Sequence, residues 1–249
     1  MKPLAFRFLP PRLPARQRGI SLFVVMVVVL LSTLLAMWAF RSALLNQMMV
    51  RNEASYSRAF EAAQALMQDA ELDIMGKTSN GQLCQRDTSK PDICRPYGGN
   101  VFRFPESRAD FTSLMRALGA SATKCKYGIC QKRTGAQDFW NAPKATLDAM
   151  LGDGARYGQY TGAASTGNPL LSITDAGKGG WYWVEVMQYN TQNNAHLMSG
   201  GSGTPNTNSV RYAPQKNEPF VYRITVLVRG NGEGEPVVLQ SVVSRKHRL

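Results

Sequence analysis

Apolar and polar positions are distributed unevenly along this chain. From Ile20 to Phe40 every residue is uncharged, and only Ser21, Ser32 and Thr33 are polar. At 1.5 Å rise per residue such a helix spans about 31 Å, close to the roughly 30 Å hydrocarbon layer of a bilayer. Beyond Arg41 an apolar stripe continues through Leu45, Met49, Asn52, Tyr56, Ala59/Phe60, Ala63, Leu66/Met67, Ala70 and Ile74 in steps of three and four residues, the period of one helix face. Neither glycine nor proline occurs from Ile20 to Met75, and Gly76 is suited to a left-handed cap. One helix over residues 20–75, about 84 Å long, is therefore predicted, its outer half packing on a domain or on other copies.

After Gly76 the pattern shortens. Residues 77–100 read as polar loops marked by Asn80-Gly81, Pro91 and Gly98-Gly99. In Arg108–Ala120, Phe111, Leu114, Met115 and Leu118 share a helix face that Gly119 can end, and a second short helix fits Pro143–Leu151. Gly152–Asn168 reads as loop. Alternation of period two begins at Trp181–Met187, with Trp181, Trp183 and Glu185 on one side and Tyr182, Val184 and Val186 on the other. The valine-rich runs Phe220–Val228 and Pro236–Ser244 follow a Gly/Ser/Pro/Asn-rich loop at His196–Ser209, and the turn Arg229–Glu235 suits a hairpin. Three strands after a long helix predict an α+β fold, with a small antiparallel sheet covered on one face by the outer half of that helix. The chain divides into 1–19, the helix 20–75 with its spanning part 20–40, and a globular region 76–249. Within the last, 76–180 holds loops and helices and 181–249 the sheet.

The 20–40 run exceeds the apolar core of a secretory signal, and no small-residue cleavage site follows it before Arg41. Lys2, Arg7, Arg12, Arg16 and Arg18 precede it with no acidic residue among them, which keeps that end cytoplasmic and places the bulk of the chain outside. All four cysteines, Cys84, Cys94, Cys125 and Cys130, lie on the outer side, as disulfides in an oxidising space would. Three connectivities are possible; loop closure favours Cys84 with Cys94 and Cys125 with Cys130. Zinc is the weaker alternative, since the C-x9-C spacing is not a usual half-site and no histidine lies near.

Arg18-Gly19 followed by Ile20-Ser21-Leu22 and the long apolar helix resembles a type IV prepilin N-terminus. Ser57–Glu71, SRAFEAAQALMQDAE, is similar to the end of that helix in PilX-like minor pilins, and Tyr222–Leu249 resembles their C-terminal hairpin. The resemblance implies a pilin-like fold and removal of Met1–Gly19 by a prepilin peptidase. Ile20 then becomes the N-terminus and is N-methylated. Major pilins carry a glutamate at the fifth mature position, thought to pair with a neighbouring subunit's terminal amine; here that position is Val24. By the resemblance, minor pilins without this acid sit at or near the filament tip. It implies a minor pilin of the inner membrane with a periplasmic domain, later in the pilus, whose partners are other minor pilins and a large adhesin-like tip protein. Twitching motility and adhesion would depend on it. Two other readings share parts of the pattern: a tip pseudopilin of a type II secretion filament, and a plain single-pass anchor displaying a periplasmic binding domain.

Catalysis is not expected and no cofactor is called for. The two histidines, His196 and His247, lie in polar loop and tail settings. The clusters Asp175–Gly180 and Gly230–Glu235 lack the spacing of a phosphate-binding or dinucleotide loop and read as turns. No acidic calcium-loop pattern occurs. The formal charge is +12, but loss of the five basic residues before Ile20 leaves 24 Lys and Arg against 17 Asp and Glu, or +7. The tail SRKHRL with Arg103, Arg108, Lys124, Lys126, Lys132 and Arg133 could attract polyanions. Without a stacking platform nearby, a solvated basic face accounts for these residues and nucleic acid is not an expected partner.

Overall fold

The computed structural model describes residues 20–85, 93–95, 101–165, 167–189, 214, 219–230 and 236–245. Helix α1 covers Ile20–Ile74. Its end is a Schellman cap, with Gly76 at φ 62°, its N–H donating to Asp73 O at 3.0 Å and the Lys77 N–H to Leu72 O at 2.9 Å. The chain forms two compact units, Met1–Arg51 and Asn52–Leu249. In the first, every large apolar side chain from Ile20 to Val50 is exposed, from 37% at Val27 to 74% at Ile20. The hydroxyls of Ser32 and Thr33 donate to the carbonyls of Val28 and Leu30 at 2.7 and 2.8 Å, so the polar groups of this run are satisfied within the helix.

The second unit is built on a five-stranded sheet in the order β1-β2-β3-β4-β5: Cys125–Lys126, Ile129–Gln131, Gly179–Gln188, Phe220–Arg229 and Val237–Ser244. β3, β4 and β5 are antiparallel neighbours, with Val184 opposite Ile224 and Thr225 opposite Gln240. Two findings correct the expected sheet. It has two further strands, β1 and β2, inside the segment assigned to loops and helices, and β2 runs parallel to β3, pairing Ile129 with Val184. The β1–β2 hairpin is too short to reveal a period of two. Its turn, Tyr127-Gly128, has φ of 55° and 77°, both positive as a two-residue type I′ turn requires.

The second correction concerns cover, because both faces of the sheet are packed. On one, Ala59, Ala62, Ala63, Leu66, Ala70 and Ile74 of α1 meet Tyr182, Val184, Tyr222, Ile224, Val226 and Val228. Helix α2, Arg108–Gly119, adds Leu114 and Leu118 to this core, and Phe111 stacks on Phe220 at 5.5 Å. Ser107 and Asp110 cap α2 reciprocally. On the other face, Trp181, Trp183 and Leu227 pack under Phe139 and under Leu147, Met150 and Leu151 of α3, Lys144–Asp153. The Trp183 indole N–H donates to Met150 O at 2.9 Å. Of the Asp175–Gly180 cluster, the first residues form the expected turn while Gly179 and Gly180 open β3, and carbonyls in and just before the turn hold a side chain: Arg156 donates to Ile173 O at 3.0 Å and Lys178 O at 2.9 Å while lying 3.9 Å over Trp181.

The alanines of α1 pack on the strands, and the Leu66 side chain reaches over Gly180. A Cβ there would fall inside the Leu66 side chain. Gly180→Val is expected to destabilise the fold by about 1–3 kcal/mol through overpacking, measured as a lower urea midpoint of the full chain in detergent.

Candidate functional site

Two features stand out chemically, one in each unit. The first is the apolar run of α1. It is the one helix among the described residues long and apolar enough to cross a membrane. Val24 lies on it, half exposed, and the first turn carries no acidic residue. A run of this composition would bring no carboxylate into a bilayer, where an unpaired charge is costly. Gly19 and the rest of the leader lie outside the described residues; Ile20 is the first residue of the helix.

The second is a buried polar cluster at the far end of α1, which the sequence patterning did not single out. Asp69 and Asp73 are four residues apart on the face that packs on the sheet, and both are buried. Arg95, only 1% exposed, donates from Nε to both carboxylate oxygens of Asp73 at 2.8 Å. Its Nη2 donates to Tyr127 O at 2.8 Å and its Nη1 to Phe102 O at 3.3 Å, while the guanidinium lies 3.5 Å over the ring of Tyr160. The Tyr182 hydroxyl also donates to Asp73, at 2.8 Å. Every lobe of this ion pair is thus engaged, the condition under which a desolvated pair is tolerated. Burial raises the Asp73 carboxyl and the Arg95 charge opposes it; burial works to lower Arg95, but the Asp73 charge and its neighbours more than offset it, so Arg95 is raised and stays cationic. Burial and Asp73 push the Tyr182 hydroxyl well up, so it remains a donor.

Asp69 has no such cation in contact. The Thr161 hydroxyl and the Gly158 N–H, the latter at 2.8 Å, donate to it. Burial, opposed by these two hydrogen bonds, raises its carboxyl from 3.8 to about 6. The folded chain therefore binds a proton at Asp69 that the unfolded chain has released, between those two values. Stability on this account is complete below pH 3.8 and falls as pH rises through about 6. The integrated difference is about 3 kcal/mol. Asp69→Asn is expected to flatten this slope and to leave the protein at least as stable as wild type at neutral pH, since the amide oxygen can accept from the Gly158 N–H while its NH2 donates to the Thr161 hydroxyl oxygen. Urea unfolding of the two proteins across pH 4–7.5 checks it by the difference between their profiles.

Both disulfides frame the unit. Cys84 is joined to Cys94 and Cys125 to Cys130, the short-loop pairing. The first ties the strap carrying Arg95 to the chain leaving α1, where the Cys84 N–H donates to Gly76 O at 2.9 Å. The second staples the β1–β2 hairpin. Arg245 donates from Nε to Ile74 O at 2.6 Å, so the last carbonyls of α1 also receive a cation from the end of β5. On the opposite sheet face Glu185 is buried between the Arg133 N–H, at 2.9 Å, and an ion pair with Arg223.

Of the basic residues noted in the sequence, Arg133 is half-buried, 4.3 Å over Phe139, whereas Arg103, Arg108, Lys124, Lys126 and Lys132 are exposed. His196, His247 and the last four residues of the tail lie outside the described residues. Among the described residues no group of three His, Cys, Asp or Glu side chains converges as a metal site. No known protein family, curated protein or solved structure matches the chain. The class that the fold defines is accordingly α+β, a long apolar N-terminal helix joined to a five-stranded, mostly antiparallel sheet with two disulfides.

Proposed function

We propose that this chain is a minor pilin of the PilX-like kind, one that helps to start a type IV pilus as part of a tip complex supporting an adhesin-like protein. The observation that carries the reading is α1 itself. A single uninterrupted helix has a bilayer-length apolar run with all of its large side chains uncovered, and its last turns are built into a disulfide-stapled α+β unit. A stem of this kind can exchange lipid for neighbouring helices without losing apolar contact, because association of helices in a bilayer depends on packing between them and not on escape from water. The finer pilin-like description of the fold, the cleavage between Gly19 and Ile20 and the periplasmic placing of the domain belong to this proposal. They rest on the N-terminal resemblance together with that stem.

The activity is templating. A small cluster of minor pilins held in the inner membrane offers the first lateral surface on which shaft subunits leave the bilayer. Val24 fits a place at the tip, since a subunit without the fifth-position carboxylate makes no pairing with the amine of a neighbour. A shaft subunit would require that pairing.

Deletion of the chain, scored for surface pili, twitching and protein secretion in the same strain, tests the proposal. Loss of pili and twitching with secretion intact supports it. Loss of secretion alone would mean a pseudopilin of a secretion filament instead, and no loss of either would leave a plain anchored domain.

A further inference from the structure

Arg95 is the residue immediately after a disulfide cysteine, and that adjacency has a consequence for α1. Cys94 adopts φ 70°, a left-handed conformation that side-chain-bearing residues seldom take. Two restraints hold it there: the bond to Cys84, and the Cys94 N–H donating to Tyr160 O at 2.8 Å. The turn sends the next side chain inward, between the rings of Tyr160 and Phe104, onto Asp73. Without it Asp73, on the last full turn of the helix, would be a buried carboxylate whose one remaining side-chain hydrogen bond comes from the Tyr182 hydroxyl, with Arg245 acting on it only through space.

We infer that the Cys84–Cys94 disulfide and the Arg95–Asp73 ion pair form one redox-gated latch, which fastens the end of α1 to the sheet only after the cysteines are oxidised. Formation needs a disulfide-bearing oxidant. One cysteine thiolate attacks the oxidant's disulfide and releases a thiol, and the second cysteine then displaces the oxidant's other sulfur, so two cysteine thiols become one disulfide and the oxidant leaves as a dithiol. Cys84 and Cys94 are both buried in the closed fold, at 9% and 2% exposure, so the exchange takes place before the latch closes. In a reducing compartment the latch stays open: Cys94 is free to leave the left-handed region, and Arg95 is not carried to Asp73. Oxidation outside the cytoplasm closes it. The inference is independent of what the chain assembles with, so it can fail or stand whatever becomes of the pilin reading.

The test is a cycle of four full-length proteins in detergent: wild type, Cys84→Ser with Cys94→Ser, Asp73→Leu with Arg95→Met, and all four substitutions together. Amide hydrogen exchange at Leu72, Asp73 and Ile74 is the readout. Coupling of the two elements predicts that removing the disulfide accelerates this exchange about tenfold more when the ion pair is present than when apolar side chains replace it. Equal acceleration in both backgrounds would overturn the latch, since the disulfide would then act alone. By reciprocity, Arg95→Gln should make Cys84–Cys94 easier to reduce by a similar factor in a dithiothreitol titration. This second measurement does not depend on the folding of the Leu/Met pair. An unchanged midpoint there would also overturn the proposal.

Discussion

Arg95→Ala is expected to destabilise the folded unit by about 3–5 kcal/mol, the usual cost of leaving one member of a buried ion pair alone. The reason lies in what remains. Asp73 would stay buried with the Tyr182 hydroxyl as its one remaining side-chain hydrogen-bond donor and Arg245 acting only through space, and Tyr127 O and Phe102 O would lose the Arg95 donor. Tyr160 would lose the cation stacked on its ring. Replacing both members, Asp73→Leu with Arg95→Met, should cost much less than Arg95→Ala, because no charge is then stranded. Urea unfolding followed by the fluorescence of the buried Trp181 and Trp183 measures both variants. If Arg95→Ala lost under about 1 kcal/mol, the surface-pair value, the cluster would not be the clamp described here.

Gly19→Leu is the second substitution with a large expected effect, and its consequence is all or none. Under the proposed function, the peptidase cuts after a residue without a side chain. A branched aliphatic group at that position should leave the basic leader attached. The apolar run from Ile20 would be untouched, so the protein should accumulate in the membrane at its unprocessed mass. The strain would lack pili. Immunoblotting of membrane and sheared-fibre fractions separates the outcomes, and normal piliation with uncleaved protein would contradict the scheme.

Much of the architecture could be read before folding. Residues 20–75 carry no helix breaker, and Gly76 does close α1 through a left-handed cap. β3, β4 and β5 follow the valine-rich and aromatic runs, and α2 and α3 begin within a residue of the expected starts. The short β1–β2 hairpin escaped because two and three residues carry no usable period; the Tyr-Gly turn between two cysteines was the available clue. Cover on both sheet faces was also foreshadowed. Trp181-Tyr182-Trp183-Val184 puts large apolar groups on both sides of one strand, the pattern of a strand with no solvent face.

The buried cluster was the harder part. Asp69 and Asp73 interrupt the Ala/Leu face at helical spacing, a signal that two carboxylates would be carried under the sheet. Their partner was not legible, because a loop arginine after a cysteine looks like any solvated cation until the disulfide aims it. The stripe from Leu45 outward was expected to pack against a domain, against other copies, or both. Within the chain, burial begins at Ala59, and Leu45, Met49 and Tyr56 are exposed. Under the proposed function those side chains are left for neighbouring helices.

Intact mass and N-terminal sequencing of the native protein recovered from sheared surface fibres test whether the stem is clipped and taken into a filament. A processed minor pilin begins at Ile20 and lies in the fibre fraction together with other pilins. A protein that still begins at Met1 and is found only with the membrane would contradict the proposal.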